Sequence, residues 1–403
     1  MQRRNFLRNS ALASSLFFVP KLLHALDRGP GLARLSDTPQ GRRLVVVQLG
    51  GGNDGLNTVI PYRNDLYYQA RPTLGIKENE GILMMDHDLG LHPALTGFKS
   101  LYDRGELAVF NAVGYPNPDR SHFRSMDIWQ SGSGADQTLS TGWLGRYLDQ
   151  NCADCQLPYN ALEVDDTLSL ALKGATRKGL ALKNPGKLHQ LTQNKLLSRV
   201  SREAPDHHHE QVDYLYRTLA ETASSADYLY EKSKIYQSTG TYPNSEFGKN
   251  LKTTAELINS GVESRVYYLA LNGFDTHVRQ HEQQARLLTD LGTGLAALAD
   301  DLRQHDQWNN TLVLVFSEFG RRVAQNASHG TDHGTANNVF LLGGGLGKKG
   351  VANAAPNLAD LDAGDLKFQV DFRSIYGAVL RDWLGASDAA ILGTGFEPWR
   401  GLV

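Results

Sequence analysis

Leu312-Val313-Leu314-Val315-Phe316-Ser317-Glu318-Phe319-Gly320-Arg321-Arg322 is the stretch that decides how this chain is built. Five consecutive apolar residues with no polar alternation predict a strand buried on both faces. The run stops abruptly at a carboxylate, a glycine and two arginines. In an open α/β sheet, ligands bind outside the carboxyl ends of such strands, so Glu318 is expected at the mouth of a site.

Other segments repeat the pattern. Residues 44–49 (LVVVQL) form a buried run that enters Gly50-Gly51-Gly52-Asn53-Asp54-Gly55. Residues 266–271 end in Asn272-Gly273-Phe274-Asp275-Thr276-His277, and residues 107–113 lead into a turn-rich loop and Ser121. Gly330-Thr331-Asp332-His333-Gly334-Thr335 precedes the apolar run Val339-Phe340-Leu341-Leu342. Helical spacing covers 93–104, 120–129, 290–304 and 371–384. Strands and helices therefore alternate, which predicts an α/β fold: a mostly parallel central sheet with helices on both faces.

Length and charge narrow the function. At 403 residues the chain can bury a large core. A formal net charge of -2 gives no argument for nucleic acid. No internal stretch is long and apolar enough to span a bilayer. Gln2-Arg3-Arg4-Asn5-Phe6-Leu7-Arg8, followed by a short, weakly apolar run broken at Pro20, reads as a twin-arginine export signal over residues 1–28. The expected partner is the twin-arginine export machinery, and the expected location is periplasmic or extracellular. In an exported protein Cys152 and Cys155 are expected to form a small loop disulfide. Residues 40–403 are expected to be one domain, with an inserted cap at about 133–210. His207-His208-His209 cannot all face one metal and reads as an exposed loop.

No phosphate-binding G-x-x-x-x-G-K-[ST] occurs. Gly50, Gly52 and Gly55 fit a dinucleotide fingerprint, but Pro61 leaves no room for the helix that should follow. Pooling the strand ends instead gives Asp54, Asp275, His277, Glu318 and His333 as candidate metal ligands. Carboxylates and imidazoles suit zinc, manganese, calcium or magnesium, according to how many nitrogens bind. Ser121 falls near the first turn of a helix, where free N–H groups favour an anion. It is either a nucleophile activated by a neighbouring cation or a simple N-cap. Arg120, Arg321 and Arg322 could clamp the oxygens of a transferred group.

The stretches GGNDGLNTVIPY, LHPAL, GYPNPDRSHF, GFDTH, SEFGRR and GTDHGTANNVFLLGGG, in that order, resemble the bacterial exported family called domain of unknown function 1501. That family in turn resembles the alkaline phosphatase and sulfatase superfamily. The resemblance implies an alkaline phosphatase-like fold and a metal site. It puts Asp54 on the first-strand Asp, Ser121 on the nucleophile, and Asp275 on the next acid, with His277 or His281 as its partner. It puts Glu318 on the Asp of an Asp-His-Gly motif, and His333 on the last His. Phe319 departs from the pattern, since it stands where the superfamily has a second-metal histidine. The implied activity is hydrolysis of small-molecule or polysaccharide-linked phosphate or sulfate esters. The alternative is a non-catalytic binding or secretion-associated protein that keeps the fold.

Overall fold

The computed structural model describes residues 41–151, 158–194 and 210–403. Residues 1–28, expected to be an export signal, and Cys152, Cys155 and His207-His208-His209 lie outside the described residues. The central sheet has nine strands: β1 (Arg43–Gly50), β2 (Leu107–Gly114), β3 (Ala161–Glu163), β4 (Leu180–Ala181), β5 (Val266–Asn272), β6 (Thr311–Ser317), β7 (Asn337–Leu342), β8 (Gly350–Val351) and β9 (Val370–Asp371). Their order is β8-β2-β7-β6-β1-β5-β3-β4, with β9 also pairing β2. All pairings are parallel except those of β7, which runs antiparallel to both β2 and β6. The mostly parallel α/β sheet read from the sequence is therefore present.

Period-two geometry sends successive side chains to opposite faces, and β1 uses both. Val45, Val47 and Leu49 join a core with Phe98 and Leu101 of α2 (Thr96–Asp103) and with Leu288, Leu291 and Leu295 of α5 (Gln280–Gln304). The same core takes Leu251 and Ile258 from α4 (Glu246–Asn259). Leu44 and Val46 face the other way, toward Ile128 and Trp129 of α3 (His122–Ser131) and Ile375 and Tyr376 of α6 (Phe372–Ala378). A four-residue helix, α1 (Gly55–Thr58), follows the glycine turn after β1. With both faces covered, every residue of β6 is buried.

Three local features set up the site. β7 is antiparallel, so it begins at the end of the sheet where β1, β5 and β6 finish. His333, which precedes it, is thereby brought to their carboxyl ends. Trp129 stacks on Phe316 with ring centroids 5.1 Å apart and on Phe372 at 4.4 Å, which pins α3 over the end of β6. α5 starts at Gln280 rather than near 290, because Gln280 and Gln284 turn inward to bond buried groups behind the site.

Part of the 133–210 stretch continues the sheet, through β3 and β4 beside β5. Here Glu163 is 5% exposed, and its Oε2 accepts the Ser169 N–H at 2.6 Å. Burial pushes its carboxyl from 4.5 to about 7. The raised folded value means that this group's contribution is fully present below pH 4.5 and is lost as pH rises through 7. The substitution Glu163→Gln cannot ionise. Its melting temperature should exceed that of the native chain clearly at pH 8 and only slightly at pH 5. Equal differences at both pH values would remove burial as the cause.

Candidate metal centre

Asp275 is the hub. It sits in the loop after β5, where the N–H groups of Gly273 and Phe274 both donate to the Gly50 carbonyl. Its Oδ1 faces three imidazoles: His277 Nε2 at 3.1 Å, His333 Nε2 at 3.2 Å and His122 Nε2 at 3.5 Å. The Nε2 atoms of His277 and His333 are 3.0 Å apart. Ligand atoms of His122, Asp275 and His333 all lie within 4.8 Å of one another.

The other side of each ring is held. His122 Nδ1 faces Glu318 Oε1 at 2.9 Å, His277 Nδ1 faces Asp332 Oδ1 at 3.2 Å, and His333 Nδ1 faces the Arg120 carbonyl at 2.9 Å. All three partners accept, so each Nδ1 carries the hydrogen. In the neutral rings each Nε2 is then a bare lone pair. His122 Nε2 is buried without a hydrogen-bond partner. The donor set therefore fits a metal ion: three imidazole nitrogens and one carboxylate oxygen, each ring oriented from behind.

The charges of the ligand groups differ from one to the next. Burial opposes ionisation of Asp275, but the hydrogen bond and charge of Arg321 outweigh it and hold the carboxyl at about 2. Burial lowers His333 below the ordinary histidine value, which favours its neutral form. The bond to Glu318 raises His122.

The remaining candidates occupy other places. Glu318 is fully buried, and its Oε1 also accepts the Gly51 N–H at 2.8 Å. Asp54 caps α1 through Leu56 N at 3.1 Å and pairs with Arg71 Nη1 at 2.6 Å, both charges buried. Its carboxylate also accepts from Gln280. Ser121 is the exposed N-cap of α3, and its hydroxyl makes no capping bond. Arg120 and Arg322 both pair with the buried Asp365. Phe319 lies against two of the rings, 4.8 Å from His122 and 4.9 Å from His333 between centroids. His281 Nε2 donates to the Thr73 carbonyl, 3.0 Å away. His122 is the residue that the sequence reading passed over. Its signal was present in GYPNPDRSHF, one place after Ser121 at a helix start.

The family model for proteins of unknown function DUF1501 matches residues 41–363. The chain belongs to that family. No curated protein matches it. Among solved structures, the zinc complex of the C-terminal periplasmic domain of EptC from Escherichia coli is similar at 12% identity and a TM-score of 0.40, covering 77% of this chain and 76% of that one. The lipoteichoic acid synthase LtaP from Listeria monocytogenes is similar at 10% identity and 0.37, covering 77% and 67%. A protein in the alkaline phosphatase superfamily from Vibrio parahaemolyticus is similar at 11% and 0.34, covering 85% and 69%.

The Asp54–Arg71 pair supports the glycine turn from below, and it can be tested alone. The substitution Arg71→Met leaves the Asp54 charge buried and unpaired, which should cost about 3–5 kcal/mol in urea unfolding. Adding Asp54→Asn should restore part of that loss, because asparagine still caps α1. A double variant no more stable than Arg71→Met would show that the charge is not the cause.

Proposed function

We propose that this chain is an exported, metal-dependent hydrolase of phosphate or sulfate esters. Asp275, His277, His333 and His122 hold a divalent cation, and Ser121 is the nucleophile. The observation that carries this reading is the convergence of three Nε2 atoms on Asp275 Oδ1, with an acceptor behind every Nδ1. Lone pairs so placed repel unless positive charge lies among them. Three nitrogens and one oxygen suit zinc better than manganese, calcium or magnesium, which prefer oxygen ligands.

When bound, the cation supplies positive charge against a phosphoryl or sulfuryl oxygen and makes a neighbouring hydroxyl more acidic. The chain does the rest. The first-turn N–H groups of α3, which no side chain caps, and the helix dipole hold the anion. Ser121 begins that turn with its hydroxyl unspent on capping. Its Oγ forms the bond to phosphorus or sulfur as the ester oxygen leaves with its electron pair and takes up a proton. Water then cleaves the serine ester, so one water is consumed per ester. Substrates of this class include small-molecule and polysaccharide-linked esters.

A second reading is a binding or secretion-associated protein without turnover. One observation favours it: Arg120, Arg321 and Arg322 are already engaged by Asp365, Asp275 and backbone carbonyls.

Purified mature chain should hydrolyse an aryl phosphate or an aryl sulfate when supplied with zinc. The substitutions Ser121→Ala and His333→Ala should each lower turnover by about 10³-fold or more. Metal uptake without turnover of either ester would favour the binding protein. Export rests on the paired arginines, Arg3 and Arg4. Replacing both with lysine should leave the chain in the cytoplasm, as cell fractionation would report, and unchanged export would refute that pathway.

A further inference from the structure

We infer that Glu318 and Arg321 are positioning residues: through the single turn at Gly51–Gly52, Glu318 fixes His122 and Arg321 fixes Asp275, so that their ligand atoms meet. The inference rests on the metal reading above.

Glu318 is held where it stands. Its Oε1 accepts from Gly51 N at 2.8 Å and from His122 Nδ1 at 2.9 Å, while its Oε2 lies 3.2 Å from Ser317 Oγ, whose hydroxyl also donates to the Leu49 carbonyl at 2.6 Å. The imidazole of His122 lies between this carboxylate and the acceptor cluster. Glu318 therefore reaches the centre through a ring. A carboxylate behind an imidazole fixes the tautomer, sets the ring's direction and raises its basicity as a ligand.

Arg321 is 2% exposed, and each nitrogen of its guanidinium donates at least one hydrogen bond. Nε donates to the Gly52 carbonyl at 2.6 Å, Nη1 to the Thr331 carbonyl at 2.9 Å, and Nη2 to the Phe274 carbonyl at 3.0 Å and Asp275 Oδ1 at 2.8 Å. Nη2 also reaches the Gly51 carbonyl. A guanidinium with its donors so committed has little left for the oxygens of a substrate.

The turn that both residues grip has no slack. Gly51 has φ +114°, and a Cβ there would lie 2.5 Å from the Asp275 nitrogen. The backbone of this turn therefore lies directly on the Asp275 loop. Glu318 holds the Gly51 N–H and Arg321 holds the Gly51 and Gly52 carbonyls, so any shift at one is passed to the other. Phe319, between them in sequence, backs the rings of His122 and His333.

Zinc titration by calorimetry separates the roles. The substitution Glu318→Gln keeps the shape and removes the charge, and it should weaken zinc binding by about 10–100-fold, as expected for a residue behind a ligand. Nitrogen NMR of the metal-free native chain should find His122 as the Nδ1–H tautomer. The conservative Arg321→Lys loses the fork and should also weaken zinc binding. Phosphate binding to its zinc-loaded form should fall no further than zinc occupancy explains.

Unchanged zinc affinity in Glu318→Gln would overturn the role of Glu318. Unchanged zinc affinity in Arg321→Lys with weakened phosphate binding would make Arg321 an anion clamp instead. If Glu318→Gln does not fold, the native tautomer still decides: His122 as Nε2–H would overturn the inference. A native chain that takes up no zinc yet shows the Nδ1–H tautomer would sink the metal reading and leave Glu318 as the residue that orients His122.

Discussion

A full positive charge buried at the mouth of the sheet holds the centre together. Arg321 ties the turn after β1, the loop after β5 and the loop before β7 to the end of β6. Burying a guanidinium is costly unless its donors are met and a counter-charge is near. Four backbone carbonyls and the Asp275 carboxylate meet both needs. Three loops of separate origin thus acquire fixed relative positions from one side chain, and Asp275 and His333 lie on two of them.

The sheet beneath makes such a convergence possible. β1, β5 and β6 are parallel and adjacent, so their carboxyl ends open onto one crevice. The reversed β7 adds its amino-terminal loop to the same side. The stacked Trp129, Phe316 and Phe372 bring α3 across, and with it His122. Each element contributes one or two side chains, and none could build the centre alone.

Much of this was legible in the sequence. The uninterrupted runs of β1 and β6 announce strands covered on both faces, because only a doubly buried strand lacks polar alternation. Asp275 and His277 could be placed at the carboxyl end from their position after such a run, whereas His333, which precedes its run, was matched to the site through the family resemblance. The direction of β7 could not be placed, since an apolar run reads the same either way. The start of α5 was hidden because Gln280 and Gln284 break the apolar stripe to serve the Asp54 network. Asp54 and Glu318 look like ligands in sequence, as carboxylates at strand ends. Only the fold reveals what each carboxylate faces: Arg71 for Asp54 and His122 Nδ1 for Glu318. His122 was overshadowed by the serine before it, since a helix start draws attention to its cap.

Charge balance gives an independent argument for a cation. Three carboxylates touch the histidine cluster: Asp275 directly, Glu318 behind His122 and Asp332 behind His277. One guanidinium, Arg321, opposes them. Arg120 gives its carbonyl to the cluster and shares Asp365 with Arg322, so those three groups keep one net positive charge. One net negative charge is left beside three lone pairs, which favours a cation among them. Protons on the imidazoles could neutralise the set, and the raised His122 accepts one readily. Protonating His333, however, runs against its burial. It would also place an Nε2–H 3.0 Å from His277 Nε2, so that only one of those two rings could carry the extra proton. A cation among the ligand atoms of His122, Asp275 and His333 would meet those lone pairs together, and it needs no ring to give up the Nδ1 bond that orients it.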